Sequence, residues 1–169
     1  MQNVNYLDVI SQATRQMSRG RALLTVGGDS PNTMTIAWGS IGYCWNRPVF
    51  TVYVRPCRHT HDILKEQGKF TVSIMLDDAD TDIFTFAGRT SGRDTDKFSG
   101  HGITAVPGQK VDCPVIGECQ LHFECELLQQ TAMRPETMRP DVTERQYTRE
   151  PDFHTIYMGE IVNCYRTDI

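Results

Sequence analysis

The sequence contains no apolar run approaching the roughly 20 residues that a membrane-spanning helix needs. Residues 1–8 have neither the basic start nor the apolar stretch of a secretory signal peptide. Positive charge is also scarce, because 17 Lys and Arg stand against 21 Asp and Glu and leave a formal net charge of −4. These absences argue against a membrane protein and against a nucleic-acid-binding protein that depends on a positive field. We therefore expect a cytoplasmic protein with no membrane or nucleic-acid partner.

Two kinds of site motif are missing as well. The six cysteines form no C-x-x-C pair and no Cys/His spacing typical of zinc, so we predict no metal site and expect reduced thiols. The chain also lacks the glycine-rich G-x-G-x-x-G fingerprint of a dinucleotide-binding domain, so any pyridine nucleotide would have to bind elsewhere. Cys44 and Cys57 lie within residues 33–60, where either could alter access or redox sensitivity, and the sequence leaves their role open.

The hydrophobic pattern predicts a single domain over residues 1–169, built mainly from β-strands with short helices. The chain has 169 residues, 39% of them hydrophobic, and is long enough to bury a core. Alternating and β-branched runs predict strands, and three- and four-residue periodicity predicts helices. We expect strands at about 23–26, 33–41, 49–54, 69–76, 115–133 and 153–165, and helices at about 6–19, 61–67 and 77–87. This count favours a closed barrel with helical caps.

Residues 33–60 contain the most informative pattern. Two apolar strands are joined by a short turn, and the second strand ends in the residues RPCRHT before a short helix. We expect Thr60 to be the N-cap of that helix. Arg55, Arg58, a hydroxyl group and the free N–H groups of a helix start together suit a phosphate. The alternative is two solvated arginines on a loop before an ordinary helix.

Six stretches, in order along residues 20–162, resemble the flavin reductase-like group of proteins, and the flavoredoxins within that group are the most similar. The stretches are NTMTIAWGS (32–40), WNRPVF (45–50), R-x-x-R-x-T (55–60), FTVSI (70–74), SGRDTDKF (91–98) and HTIYMGEI (154–161). Each stretch alone is a weak signal, but the ordered series is specific. The resemblance implies an FMN-binding split β-barrel, a six-stranded Greek-key barrel that works as a homodimer with FMN near the subunit interface.

The same resemblance assigns FMN binding to three sets of residues. The set expected along the flavin ring is Met34, Thr35, Ile36, Ala37 and Trp38. The set expected at the phosphate is Arg55, Arg58, His59 and Thr60, and a second loop that approaches the ribityl-phosphate end supplies Ser91, Gly92, Arg93 and Lys97. Alternatives stay open for three of them: Trp38 as a core or interface aromatic, Gly92 as a tight turn, and Lys97 in a surface ion pair with Asp94 or Asp96.

His154 is the candidate catalytic residue, because the resembled family places a histidine near the nicotinamide or substrate side of the flavin. Hydride transfer between nicotinamide and flavin needs no protein acid or base, so we expect His154 to bind a phosphate or orient a ring. The alternative is a histidine that is hydrogen-bonded at the surface where the last strand starts.

Residues 134–152 are rich in Arg, Glu, Thr and Pro and too polar for a core element. We predict a polar excursion, or arm, before the final strand. In the resembled family such a segment can cover the cofactor or embrace a partner subunit. A mobile surface loop is the alternative.

The resemblance implies an NAD(P)H-dependent flavin reductase that passes hydride through FMN to an acceptor. The alternative is a flavoredoxin-like electron carrier, or flavin-holding protein, whose FMN is reduced by a redox partner protein. A barrel that binds no cofactor is the third hypothesis. The sequence does not predict the electron acceptor, the choice between NADH and NADPH, or whether FMN is a prosthetic group or an exchanged substrate.

Overall fold

The computed structural model describes residues 1–77, 82–99, 101–148 and 152–167. These residues form mainly β-sheet with four short α-helices, as the pattern predicts. The strands are β1 (Gln2–Asn3), β2 (Ala22–Val26), β3 (Asn32–Ile36), β4 (Gly39–Cys44), β5 (Arg47–Val54), β6 (Lys69–Ile74), β7 (Ala105–Val106), β8 (Val115–Ile116), β9 (Leu121–Ala132) and β10 (Thr155–Arg166). The helices are α1 (Tyr6–Ser18), α2 (His59–Gln67), α3 (Asp82–Arg89) and α4 (Pro140–Gln146), and Pro135–Thr137 form one 3-10 turn.

The main sheet has eight strands in the order β3-β2-β6-β9-β10-β5-β4, with β1 added alongside β10. All of its strand pairs are antiparallel. Strands β3 and β4 lie at opposite ends of this order, yet only Ala37 and Trp38 separate them along the chain. A two-residue link is too short to cross a flat sheet of this width, so the sheet must curl until its two edges are close. A curled sheet with unpaired edges is consistent with a split barrel.

The interior of the curled sheet is filled with large apolar side chains. Phe50 and Phe123 meet edge to face with their ring centroids 5.2 Å apart, and Phe70 and Tyr157 are buried beside them. The sheet bends where β9 and β10 change register at Gly159, and a Cβ there would lie 2.5 Å from the Phe70 ring. Only glycine lets the two strands approach the core this closely.

Two helices pack against the sheet at two separate apolar clusters. Helix α1 inserts Val9, Ala13 and Met17 into the main cluster. Helix α3 buries Ile83 and Phe84 in a second cluster against β2. The described residues contain no helix that is long and apolar enough to span a membrane.

Three predicted elements differ from the structure. The predicted strand 33–41 is wrong as a single element, because β3 ends at Ile36 and β4 begins at Gly39 on the other edge of the sheet. The apolar run conceals this break, because the two link residues, Ala37 and Trp38, are apolar although they are exposed to the groove. The strand predicted at 115–133 is interrupted and divides into β8 and β9. The predicted helix start at 77–80 lies largely outside the described residues, and α3 begins at Asp82.

The polar excursion contains more structure than a loop. Within its described part, the 3-10 turn and α4 follow β9, and the segment returns to the sheet through a bond from Met133 N–H to the His154 carbonyl. Residues 149–151 of the predicted excursion lie outside the described residues.

Candidate functional site

Two adjoining pockets form a groove between the β3–β4 link and the start of α2. We name its two halves the aromatic end and the basic end. The aromatic end has a volume of about 180 Å³ and is lined by Met34, Thr35, Ile36, Ala37, Trp38, Tyr53, Arg55, Arg58 and His154. The basic end has a volume of about 110 Å³ and is lined by Asn32, Met34, Cys57, Arg58, His59, Thr60, Thr90, Ser91, Gly92 and Lys97. Met34 and Arg58 line both ends, so the two are contiguous.

The aromatic end is built on the β3–β4 link. Trp38 is 44% exposed and its ring centroid lies 5.1 Å from that of His154. Strand β3 is an edge strand, so alternate N–H and C=O groups of its backbone have no sheet partner. The Thr35 hydroxyl donates to the Phe84 carbonyl over 2.5 Å and fixes α3 against β3. The aromatic end therefore offers a large ring face and free backbone polar groups side by side.

The basic end is built on the first turn of α2. This helix begins at His59 with Arg58 as its N-cap, so the prediction of Thr60 as N-cap is wrong. No side chain caps the helix start, and the His61 N–H already donates to the Arg58 carbonyl over 2.9 Å. The N–H groups of His59 and Thr60 are therefore the ones available to an anion. Thr60 is instead buried in the first turn, where its hydroxyl oxygen accepts a 2.8 Å hydrogen bond from the Asn32 side-chain amide. The hydroxyl proton of Thr60 can still be donated to a ligand.

Gly92 closes the basic end from the second loop. A Cβ at this position would lie 2.0 Å from Oδ1 of Asn32, so any larger residue would displace the floor of the groove. Asn32 Oδ1 and His59 Nδ1 are both buried, and neither has a hydrogen-bond partner within the described part of the chain. Unpaired buried polar atoms are costly, so they mark a place where a ligand can complete the structure.

Lys97 is buried beneath this floor and is only 4% exposed. Its Nζ donates to the Thr33 carbonyl over 2.7 Å and to the Ala87 carbonyl over 2.9 Å, so it joins β3 to α3. Burial, together with the nearby positive charge of Arg58, lowers the pKa of Lys97 to about 8. The ammonium has three N–H donors, and the third is left for the groove that Lys97 lines.

Arg93 lies outside the basic end and faces a larger polar hollow beyond it, of about 460 Å³. Its guanidinium donates to the Cys57 carbonyl over 2.8 Å and to Asp62 Oδ2 over 2.6 Å. The hydrogen bond from Arg93 lowers the pKa of Asp62. These contacts hold the RPCRHT loop against the second loop.

Arg55 and His154 lie at the aromatic end, where the excursion meets the groove. The Arg55 guanidinium donates to the Gln146 carbonyl over 3.1 Å and lies 5.3 Å from the centre of the Tyr147 ring. His154 is buried, and its Nδ1 is 2.7 Å from the Tyr147 hydroxyl. Burial, and then the positive charge of Arg55, lowers the pKa of His154 to about 4, so the imidazole is neutral near pH 7.

The structure brings the predicted site residues to one groove. The aromatic end receives all five residues from Met34 to Trp38 together with Arg55 and His154, and the basic end receives His59, Thr60, Ser91, Gly92 and Lys97. Arg58 serves both ends, whereas Arg93 faces the adjoining hollow. The sequence analysis did not assign four residues that line the groove, Asn32, Tyr53, Cys57 and Thr90, or Tyr147, which contacts its lining. Asn32 begins one of the family-like stretches, so the sequence did contain a signal that could have assigned it to the site. Tyr147 lies in a segment without strand or helix periodicity, where no such signal exists.

The family model for the flavin reductase like domain matches residues 14–168. The chain belongs to this family. The resemblance found in the six stretches is thereby confirmed. Flavin reductase-like members of known structure also share the fold described above.

The flavoredoxin of Desulfovibrio vulgaris (Miyazaki F) is 30% identical, with a TM-score of 0.68 over 87% of this chain and 69% of that one. BorF, the flavin reductase component of a bacterial two-component tryptophan halogenase, is 25% identical, with a TM-score of 0.61 over 94% of this chain and 89% of that one. The uncharacterized protein YddH of Escherichia coli K12 is 30% identical over 133 residues, which are 75% of this chain and 69% of that protein.

Proposed function

We propose that this chain binds FMN in the groove and passes hydride from NAD(P)H through it to an acceptor, as a flavin reductase-type oxidoreductase. One observation carries the proposal: a groove joins an aromatic end, which Arg55 lines, to an uncapped helix start beside Arg58. An elongated ligand with a ring at one end and a phosphate at the other matches this arrangement. Residues 1–169 are proposed to form a single domain with this role.

The basic end fits the phosphate of FMN. The first N–H groups of α2, the Thr60 hydroxyl and the Arg58 guanidinium all donate hydrogen bonds, and a phosphate accepts them in charge-assisted form. Ser91 and the backbone at Gly92 complete the wall opposite α2. The buried His59 Nδ1, which lacks a partner in the described residues, gives a further polar atom for the ribityl-phosphate end.

The aromatic end fits the flavin ring. Met34 to Trp38 line this end together, and β3 brings the free backbone groups of an edge strand. Bound FMN would supply the hydride-accepting and hydride-donating chemistry of the site. Around it, Arg55 and Arg58 provide positive charge, which favours the anionic reduced flavin.

His154 is proposed to contact the nicotinamide side of the groove as a neutral hydrogen-bond donor. Its lowered pKa and its contact with Trp38 support binding and orientation rather than proton transfer. This role agrees with the chemistry, because hydride transfer itself moves no proton to or from the protein.

A homodimer with FMN near the subunit interface is part of the proposal. Trp38, Tyr43 and Trp45 are exposed on and beside the edge hairpin formed by β4 and β5. Exposed aromatic side chains are typical of a surface that a second subunit covers, and one of them, Trp38, also lines the groove. The excursion, which touches the groove through Arg55, would then cover the cofactor.

A flavoredoxin-like electron carrier is the second candidate, and the 30% identity to a flavoredoxin favours it. In that case a redox partner protein would reduce the bound FMN, and NAD(P)H would not. The groove serves both candidates equally, so the difference must be measured.

The test adds NADH or NADPH, in turn, to the FMN-loaded protein without oxygen and follows the visible flavin absorbance. Rapid bleaching, with multiple turnovers once free FMN or oxygen is admitted, supports the reductase. Bleaching by dithionite but by neither nucleotide would overturn the reductase and leave the electron carrier.

A further inference from the structure

Tyr147 is the most deeply buried residue of the described excursion and is 7% exposed. Its ring stacks on Phe153 with centroids 4.5 Å apart, and the Arg55 guanidinium lies over the same ring. Its hydroxyl lies 2.7 Å from Nδ1 of His154. These three contacts give Tyr147 a defined position relative to His154 and the groove.

We propose that Tyr147 is a positioning residue that holds His154 as the tautomer protonated at Nε2 and keeps that N–H donor available to the groove. The assignment rests on the proposed function, in which this groove holds FMN and receives NAD(P)H. Tyr147 does not line the groove itself and acts through His154.

The tautomer follows from the two acceptors near the Tyr147 hydroxyl. One is Nδ1 of His154 at 2.7 Å, and the other is the Met133 sulfur at 3.5 Å. A thioether is a weak acceptor and an unprotonated imidazole nitrogen is a strong one, so the phenol proton is donated to Nδ1. Neutral imidazole then carries its own proton on Nε2. No described residue hydrogen-bonds to Nε2, and His154 lines the aromatic end, so the N–H is free for a ligand.

Burial is the main reason why His154 stays neutral, and it lowers the pKa of the imidazole to about 4. Among the nearby charges, Arg55 and Arg58 act against protonation, whereas Asp152 favours it. The surrounding groups from the excursion and the β3–β4 link are the uncharged Tyr147 and Trp38. The Nε2–H group is therefore a constant donor across the neutral pH range.

A neutral donor in this position selects for an oxygen acceptor. The lining of the aromatic end includes no acidic side chain, and its charged residues are the two arginines. A carboxamide oxygen is therefore accommodated beside Trp38, and the nicotinamide of NAD(P)H carries such a group. We assign the Nε2–H of His154 to that oxygen, with Tyr147 fixing the direction of the donor.

The first experiment records ring-nitrogen NMR spectra of the protein labelled with ¹⁵N-histidine. The chain has 5 histidines, and the His154→Gln variant identifies the signals of His154. We expect the wild-type signals of a protonated Nε2 and an unprotonated Nδ1. In Tyr147→Phe, Nδ1 loses its donor, the two tautomers mix and the two signals move towards each other. Tyr6→Phe is the matched control, because Tyr6 is partly buried against the main core and makes no hydrogen bond to His154.

The second experiment measures steady-state NAD(P)H oxidation by the same variants. A net neutral hydrogen bond corresponds to a factor of about three to ten, so we expect Tyr147→Phe to raise KM for NAD(P)H by about that factor with little change in kcat. The same substitution in the His154→Gln background should add no further change, because Tyr147 acts through His154.

Two results would overturn the proposal: an unchanged tautomer in Tyr147→Phe, or an equal kinetic effect with and without His154. The proposed function fails by a different result, which is that the wild-type protein does not bind FMN or does not oxidise NAD(P)H. The NMR spectra of the wild-type protein still decide the tautomer in that case.

Discussion

The side-chain amide of Asn32 donates a hydrogen bond to the Thr60 hydroxyl oxygen over 2.8 Å, and both residues are buried. This bond ties β3 to the first turn of α2, so the floor of the basic end and its anion-facing helix start are held together. The Gly92 backbone lies directly against the same amide. The geometry of the proposed phosphate site therefore depends on a contact between two elements far apart in sequence.

Asn32→Ala and Thr60→Val should each lower the free energy of unfolding by about 1–3 kcal/mol, because each leaves a buried polar group without its partner. The double variant should lose less unfolding free energy than the sum of the two single losses, because it leaves no buried partner of this hydrogen bond unsatisfied. Urea titrations of the four proteins measure this coupling. Strict additivity would show that the bond does not hold β3 to α2.

Lys97 gives stability a distinct dependence on alkaline pH. Its pKa of about 8 lies below that of a lysine in an unfolded chain, about 10.4, so the unfolded chain binds more protons between these values. The contribution of Lys97 to the free energy of unfolding therefore rises with pH in this window. We expect the free energy of unfolding of the wild type, minus that of Lys97→Met, to rise by on the order of 1–3 kcal/mol between about pH 8 and 10.4.

The control for Lys97 is Lys65→Met, because Lys65 is exposed on α2. Its difference from wild type should stay flat over the same range in urea unfolding at several pH values. A flat difference for Lys97→Met as well would mean that burial does not disfavour the charged form of Lys97.

His122 should make the fold sensitive to acid. It is buried between Ser73 and Thr167, with each ring nitrogen 3.1 Å from a hydroxyl oxygen. Burial lowers its pKa to about 4, below the value of about 6.5 in an unfolded chain, so its contribution is present above pH 6.5 and is lost as the pH falls towards 4. His122→Gln should reduce the loss of unfolding free energy over this interval by about 2–3 kcal/mol.

His101→Gln is the comparison for this acid effect, since His101 is exposed. Thermal unfolding midpoints at a series of pH values measure how steeply the stability of each variant falls with acid. If His122→Gln loses stability with acid as steeply as wild type, the buried imidazole does not govern this transition.

Much of the fold and of the candidate site could be predicted from local sequence. Strand and helix periodicity identified α1, β2, β5 and β6, because these elements have one buried face or are buried throughout. The RPCRHT and SGRDTDKF loops were recognised because arginines, small residues and a helix start occur together in short stretches. Both loops do line the groove or its adjoining hollow.

The rest depends on contacts that a linear pattern does not contain. The break between β3 and β4 falls inside an apolar run, because Trp38 contacts His154 from a distant strand instead of packing in the core. Tyr147 reaches the same histidine from a polar segment, and Arg55 turns towards Tyr147 instead of the basic end. Each of these placements is set by the curl of the sheet, which brings distant segments to one groove.

FMN retention after gel filtration tests the central proposal most directly. The wild-type protein, incubated with FMN and desalted, should keep a visible flavin spectrum. The Arg58→Ala, Thr60→Ala double variant should lose this spectrum. Arg58→Ala alone should lose part of it, and because the Arg58 side chain is exposed, its removal should leave the fold intact. The matched control, Thr14→Ala with Arg15→Ala on the exposed face of α1, should retain the spectrum. A wild-type protein that stays colourless even at high FMN concentration, with an intact circular dichroism spectrum, would contradict the account.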